Sequence, residues 1–202
     1  MTTTTLLIQS EATPLKVALP ALAPMSPKEF EAFCLANRKL RIERTATGEV
    51  IVMPPAGAET GNRNFNIAAY LWMWAEKDGT GIGFDSSAGF TLPNGAVRSP
   101  DASWIRGDRW DQLSDEMINS FAPICPDFVI ELISKMDTLK GLKAKMEEYL
   151  ENGIVLGWLI DRKNKTVHIY RPNQAPQILD SPTIIDGTPE LSGFQFPMAK
   201  VW

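Results

Sequence analysis

Apolar and polar positions change their spacing several times along the chain, and each change marks an element. Ser26-Pro27-Lys28-Glu29 has the form of a helix start, with Ser26 as cap, Pro27 at the first helical position and Glu29 completing a capping box. The spacing predicts a helix to about Asn37 with Phe30, Phe33 and Cys34 inward. Residues 39–53 then alternate as a hairpin: Leu40-Arg41-Ile42-Glu43-Arg44, a Thr47-Gly48 turn, and Glu49-Val50-Ile51-Val52-Met53, closed by Pro54-Pro55. A second helix is predicted over about 58–77. At about 100° per residue, Phe65, Ala68, Ala69, Trp72 and Ala75 share an apolar side, and Glu59, Asn62, Arg63, Asn66 and Tyr70 form a polar stripe.

Asp78-Gly79-Thr80-Gly81 stops that helix. Short strands are expected near 81–85, 88–92 and 101–106, with Pro93-Asn94-Gly95 turning between the last two, and 107–125 reads as irregular or weakly helical. Asp127–Ile133 is strongly apolar, as in a strand buried on both faces at the centre of a sheet. Thr138 caps a helix over about 139–152, which Asn152-Gly153 ends. Its buried stripe is Leu139, Leu142, Met146, Tyr149 and Leu150. Val155–Asp161 and Thr166–Arg171 are strands joined by a polar turn, and the remainder, interrupted by Pro172, Pro182, Pro189 and Pro197, is loop and short edge strand.

This order predicts an α/β domain of mixed α+β type, a central mixed sheet flanked by helices, preceded by a helix and a β-hairpin. Strict strand–helix alternation is missing, which excludes a doubly wound fold. Residues 1–24, rich in Thr, Ala and Pro, read as an N-terminal tail, and 25–202 as one domain with its core at about 39–172.

Composition narrows the setting. The chain has 202 residues, 44% of them hydrophobic and 22% charged, enough for a sizeable core without staples. Cys34 and Cys125 form no disulfide framework, and no signal peptide or membrane-length apolar run is visible. A cytoplasmic protein without membrane contact is expected. The net charge of −4 argues against a broad basic surface for nucleic acid, though not against a local patch.

Three features carry possible chemistry. Alternation places Val129, Glu131 and Ile133 on one face of the apolar strand. A carboxylate there is costly to bury unless paired, protonated or bound to a cation; the plainer account is a salt-bridged side chain at the strand's exposed end. Asp101 enters a strand directly after Pro100, where the plainer account is a turn aspartate. Two carboxylates on neighbouring strands can share Mg²⁺, which takes oxygen ligands and keeps several waters. Lys135, Lys140, Lys143 and Lys145 follow. Lys145 falls roughly 40° from Tyr149 on the helical wheel, and Lys143 flanks the stripe on its other side. Either stem can lie along apolar surface, while a solvated basic face accounts better for Lys140 and Lys143.

Other signals are discounted. Gly79-Thr80-Gly81-Ile82-Gly83 ends a helix and leads into a strand, the reverse of a dinucleotide site. One His and two distant Cys make no zinc site and supply no Ser or Cys triad, and His168 reads as structural. Trp72, Trp104 and Trp158 fit elements that pack inward.

Pro100-Asp101 followed by Glu131 in an apolar strand resembles the core of the PD-(D/E)xK restriction-endonuclease-like superfamily. Pro126-Asp127-Phe128-Val129-Ile130-Glu131-Leu132-Ile133-Ser134, then Lys145-Met146-Glu147-Glu148-Tyr149-Leu150-Glu151-Asn152-Gly153, then Gly157-Trp158-Leu159-Ile160-Asp161, are similar to a large, mostly uncharacterised bacterial family described as "putative restriction endonucleases". The resemblance covers roughly residues 25–172. The superfamily lysine would fall at Ile133; in the resembling family it stands on the following helix, four residues before a tyrosine, which here is Lys145 with Tyr149. The superfamily acid on an earlier helix corresponds to Glu59, a position the helix dipole alone also favours.

The resemblance implies a restriction-endonuclease-like core and Mg²⁺-dependent hydrolysis of phosphodiester bonds in nucleic acid, DNA first. In that scheme Asp101 and Glu131, with a backbone carbonyl after Glu131, hold Mg²⁺ or Mn²⁺. Lys145 orients water or stabilises phosphorane charge, and Glu59 serves a second cation or outer-sphere water. The alternatives are a catalytically inactive nucleic-acid- or protein-binding module on the same fold, separated by metal-dependent turnover, and an interaction protein, separated by salt-dependent DNA binding. A homodimer is expected because cutting both strands of a duplex suits two-fold symmetry.

Overall fold

The computed structural model describes residues 15–17, 25–38, 40–53, 55–135 and 137–202, the first three by backbone alone. Of the predicted tail, residues 1–14 and 18–24 lie outside the described residues, and Leu15–Val17 form a strand, β1. Helix α1 (Pro27–Ala36) has the expected capping box: Ser26 Oγ accepts from Glu29 N at 3.3 Å and Glu29 Oε2 accepts from Ser26 N at 2.8 Å. The hairpin is β2 (Arg41–Arg44) and β3 (Val50–Met53), with Gly48 at φ 86° in its turn. β5 (Phe90–Thr91) and β6 (Val97–Arg98) complete a small sheet ordered β1-β3-β2-β6-β5. The turn at 93–95 thus joins β5 to β6, a two-residue strand too short to be seen as a period in the sequence.

The main sheet is built from β4 (Gly81–Asp85), β7 (Ala102–Arg106), β8 (Phe128–Leu132), β9 (Leu156–Asp161), β10 (Thr166–Tyr170) and β11 (Gln177–Asp180), in the order β11-β10-β9-β8-β7-β4. β8 and β9 are parallel, joined across helix α3 (Leu139–Glu151), and the other pairs are antiparallel. β8 is interior and buried along its whole length, as its strongly apolar character predicts, Glu131 included. Phe128, Ile130 and Leu132 pack into one core and Val129 into a second, with Met146 and Tyr149 of α3.

Helix α2 (Ala58–Asp78) covers the first core, with a face that shares only Ala75 with the predicted one. The buried stripe is Arg63, Ile67, Leu71 and Ala75, while Phe65 and Trp72 are exposed by 71% and 57%. Counting apolar residues misplaces the face because a guanidinium lies in the buried one: Arg63 Nε donates to Val201 O at 2.8 Å and Nη2 pairs with Glu59. Tyr70, assigned to the polar stripe, packs edge-on against Phe196. Trp104 and Trp158 are buried as expected, and Trp72 is not.

The C-terminal segment does more than edge the fold. β12 (Ile184–Asp186) and β13 (Gln195–Pro197) pair, and Ile185, Leu191, Phe194, Phe196, Met198 and Val201 belong to the same core as Trp158 and α2. No helix among the described residues is long and apolar enough to cross a membrane.

Candidate active site

The chain brings β2, β6, α2, β8 and α3 together with the start of β7 where the small sheet meets the large one. The β7–β8 register pairs Ala102 with Ile130, so one step on, Asp101 stands opposite Glu131. Alternation turns both toward the α3 side of the sheet. Asp101 Oδ2 accepts the Leu132 N–H at 2.9 Å, and Oδ1 accepts from Asn64 Nδ2 at 3.0 Å and pairs with Arg41 Nη1 at 3.2 Å. The turn aspartate of the plainer account is therefore tied to β2, α2 and β8 at once.

Glu131 is buried at mid-sheet, so the exposed-end account does not hold. Its Oε1 lies 2.8 Å from Lys145 Nζ and accepts from Tyr149 Oη at 3.0 Å. Lys145 does follow the apolar flank of α3, and its ammonium also meets Glu43 Oε1 at 2.8 Å. Glu43 in turn accepts the Ser99 N–H at 3.0 Å and pairs with Arg98, which also holds Glu148 at 2.6 Å.

Asp101, Glu131 and Lys145 thus share one cluster. Glu59 lies apart, 67% exposed on the first turn of α2, where Arg63 hydrogen-bonds its carboxylate and holds its pKa below the ordinary range. Glu43, Arg41 and Arg98 complete the cluster and are not among the sequence candidates. A signal existed: the alternation of β2 puts Arg41 and Glu43 on the face opposite Ile42.

The cluster holds Glu43, Asp101, Glu131 and Glu148 against Arg41, Arg98 and Lys145, one negative charge in excess. That excess is felt at Glu131. Burial pushes its carboxyl up, Lys145 opposes this, Asp101 and Glu43 add to it, and its pKa is raised to about 7. Burial also acts on Glu43, but Lys145 and Arg98 outweigh it and hold this carboxyl below its ordinary value. Desolvation works against the Lys145 ammonium, and the two glutamates overcome it, so its pKa is raised. Burial, with Glu131 and Glu43, drives the Tyr149 phenol well up, which keeps its proton for the bond to Glu131.

Beside the cluster opens a cleft of about 750 Å³, lined by α2, by the segment before it, and by Arg41, Asp101, Leu132 and Lys135. Asp101 opens onto it, with Glu131 and Lys145 behind. A buried ammonium among carboxylates, beside an aspartate at a cleft, is a constellation suited to polarising an anionic group and a water.

Residues 27–199 match the model of the Uma2 family, described as "Putative restriction endonuclease". The chain belongs to the Uma2 family. No curated protein matches it in sequence. Among solved structures it is similar to a "putative nuclease belonging to DUF820" from Anabaena variabilis ATCC 29413. That likeness has a TM-score of 0.71 at 20% identity, over 88% of this chain and 97% of the other. It establishes the fold, a mixed sheet flanked by helices. Uma2 membership supports a nuclease-type function for the chain.

Proposed function

We propose that the chain is a Mg²⁺-dependent endonuclease that hydrolyses phosphodiester bonds of DNA, with Asp101, Glu131 and Lys145 at its centre. One observation carries the reading: a lysine is shared by two buried carboxylates, and one of these, Glu131, stands across the strand pair from an aspartate that opens onto a cleft.

The donor set fits a hard divalent cation. Among the described residues no group of three or more His, Cys, Asp and Glu side chains is arranged to hold a metal, and in this reading the protein ligands would be Asp101 and Glu131. Mg²⁺ commonly takes one or two carboxylates and completes its sphere with water and substrate phosphate. The excess negative charge of the cluster favours its entry. When bound, Mg²⁺ or Mn²⁺ would neutralise phosphate charge and lower the pKa of the attacking water.

The chain's own groups do the rest. Lys145 keeps its proton between Glu43 and Glu131, so it acts as a donor to water or to a phosphoryl oxygen and not as the base. Glu43 positions that ammonium. Asn64 and the Leu132 N–H fix the Asp101 carboxylate. Glu59, on the rim, serves at most outer-sphere water.

The test is Mg²⁺-dependent cleavage of circular single-stranded and supercoiled duplex DNA. Asp101→Asn, which keeps an acceptor for the Leu132 N–H, is expected to lose about 100-fold or more in rate, and Glu59→Gln far less. Equal cleavage by wild type and Asp101→Asn would overturn the assignment.

A further inference from the structure

Two residues of the cleft are left unused by this chemistry. Phe65 lines it with 71% of the residue exposed. The fold has no need of that ring, since α2 packs through Arg63, Ile67, Leu71 and Ala75. Its neighbour Asn64 donates to Asp101, so Phe65 stands one residue from a contact with the candidate catalytic carboxylate.

One turn earlier Gly61 lines the same cleft. It lies within α2, its φ is outside the left-handed region, and a Cβ built on it would meet nothing within 4 Å. Neither backbone conformation nor packing calls for a glycine, and glycine is the least favourable residue after proline inside a helix. Side chains on a helix lean toward its N-terminus, so Phe65 leans toward the turn that Gly61 leaves bare. The two together form an aromatic face with open space beside it.

The charges around the cleft say how a nucleic acid would be held. Arg41 and Lys135 face Glu59, Asp85, Asp101 and Asp137. Counterion release from so few cations gives little affinity for a polyanion, and contacts to bases must supply the difference. A base within a duplex is stacked on its neighbours and offers no free face, whereas an unpaired base stacks on an aromatic side chain whatever its identity.

We infer that the cleft takes single-stranded DNA, or a strand locally unpaired, with a base stacked on Phe65 in the space that Gly61 keeps open. The inference rests on the nuclease reading for the scissile phosphate at Asp101. The stacking contact itself is independent of turnover.

Stacking needs no metal, so binding is measured in EDTA by fluorescence anisotropy, with the full chain. The probes are a short labelled single strand, the same strand with its bases removed over part of its length, and a hairpin duplex. The intact single strand binds more tightly than the other two. Phe65→Ala weakens it by about 5- to 100-fold and leaves the duplex unchanged, while Phe65→Trp retains binding. Gly61→Leu fills the space and weakens single-strand binding, although the same change raises the melting temperature, an opposition that a merely structural glycine would not give. An intact strand that binds no better than the abasic one, or is indifferent to both Phe65→Ala and Gly61→Leu, overturns the inference. Mg²⁺-dependent cleavage indifferent to Phe65 leaves the nuclease reading standing and removes this one. Phe65-dependent binding without cleavage by the wild type does the reverse.

Discussion

Lys145 is the residue on which the buried charges balance. It lies 2.8 Å from each of two glutamates that are almost free of solvent. Removing one member of a buried ionic group leaves its partners uncompensated, at a cost of about 3–5 kcal/mol. Lys145→Met is therefore expected to lower the unfolding free energy, read from urea denaturation, by an amount in that range, and a loss below about 1 kcal/mol would mean that the pair is solvated. Glu131 gives a signature in pH. Its pKa in the fold is about 7, above the 4.5 of a free glutamate, so the metal-free folded state holds a proton that the unfolded chain has released. Stability from this group is complete below about pH 4.5 and is lost as pH rises through about 7. Glu131→Gln should flatten the fall in urea midpoint across that window; an identical slope in both proteins would contradict the burial argument. Glu131 and Lys145 were legible as a charge inside an apolar run and a lysine on the edge of an apolar stripe. Glu43 and Arg41 were not, because alternation shows that they share a face and cannot show that the face abuts a second sheet.

At the scale of elements, the legible parts are those whose own residues fix them. The Ser26 capping box, the Gly48 hairpin turn, the Thr138 cap and the unbroken strand β8 stand where the sequence predicts them. The face of α2 is different in kind. Apolar side chains ring much of this helix, and the choice between two candidate faces is made by the C-terminal segment, through Val201 O on Arg63 and Phe196 on Tyr70. The loop-like proline spacing of that segment hid its six core side chains. Leu71→Ala is expected to cost about 2–5 kcal/mol, read from chemical denaturation. Trp72→Ala should stay within about 0.5 kcal/mol, since the side chain faces solvent. The opposite ranking would put the predicted face inward after all. The face left outward includes Phe65, so the geometry that corrects the helix also supplies the proposed stacking surface.

For the molecule as a whole, the net charge of −4 and a cleft lined by more acids than bases stand against a polyanionic substrate. In the proposed reading a divalent cation at Asp101 and Glu131 would resolve the conflict locally, and base stacking would resolve it along the cleft. The measurement that tests the central claim most directly is calorimetric titration of Mg²⁺ and Mn²⁺ into the wild type and Glu131→Ala, paired with cleavage of single-stranded and supercoiled DNA by the same preparations. The account predicts metal binding and cleavage by the wild type, both lost in the variant. A well-folded wild type that neither binds metal nor cleaves either DNA would contradict it.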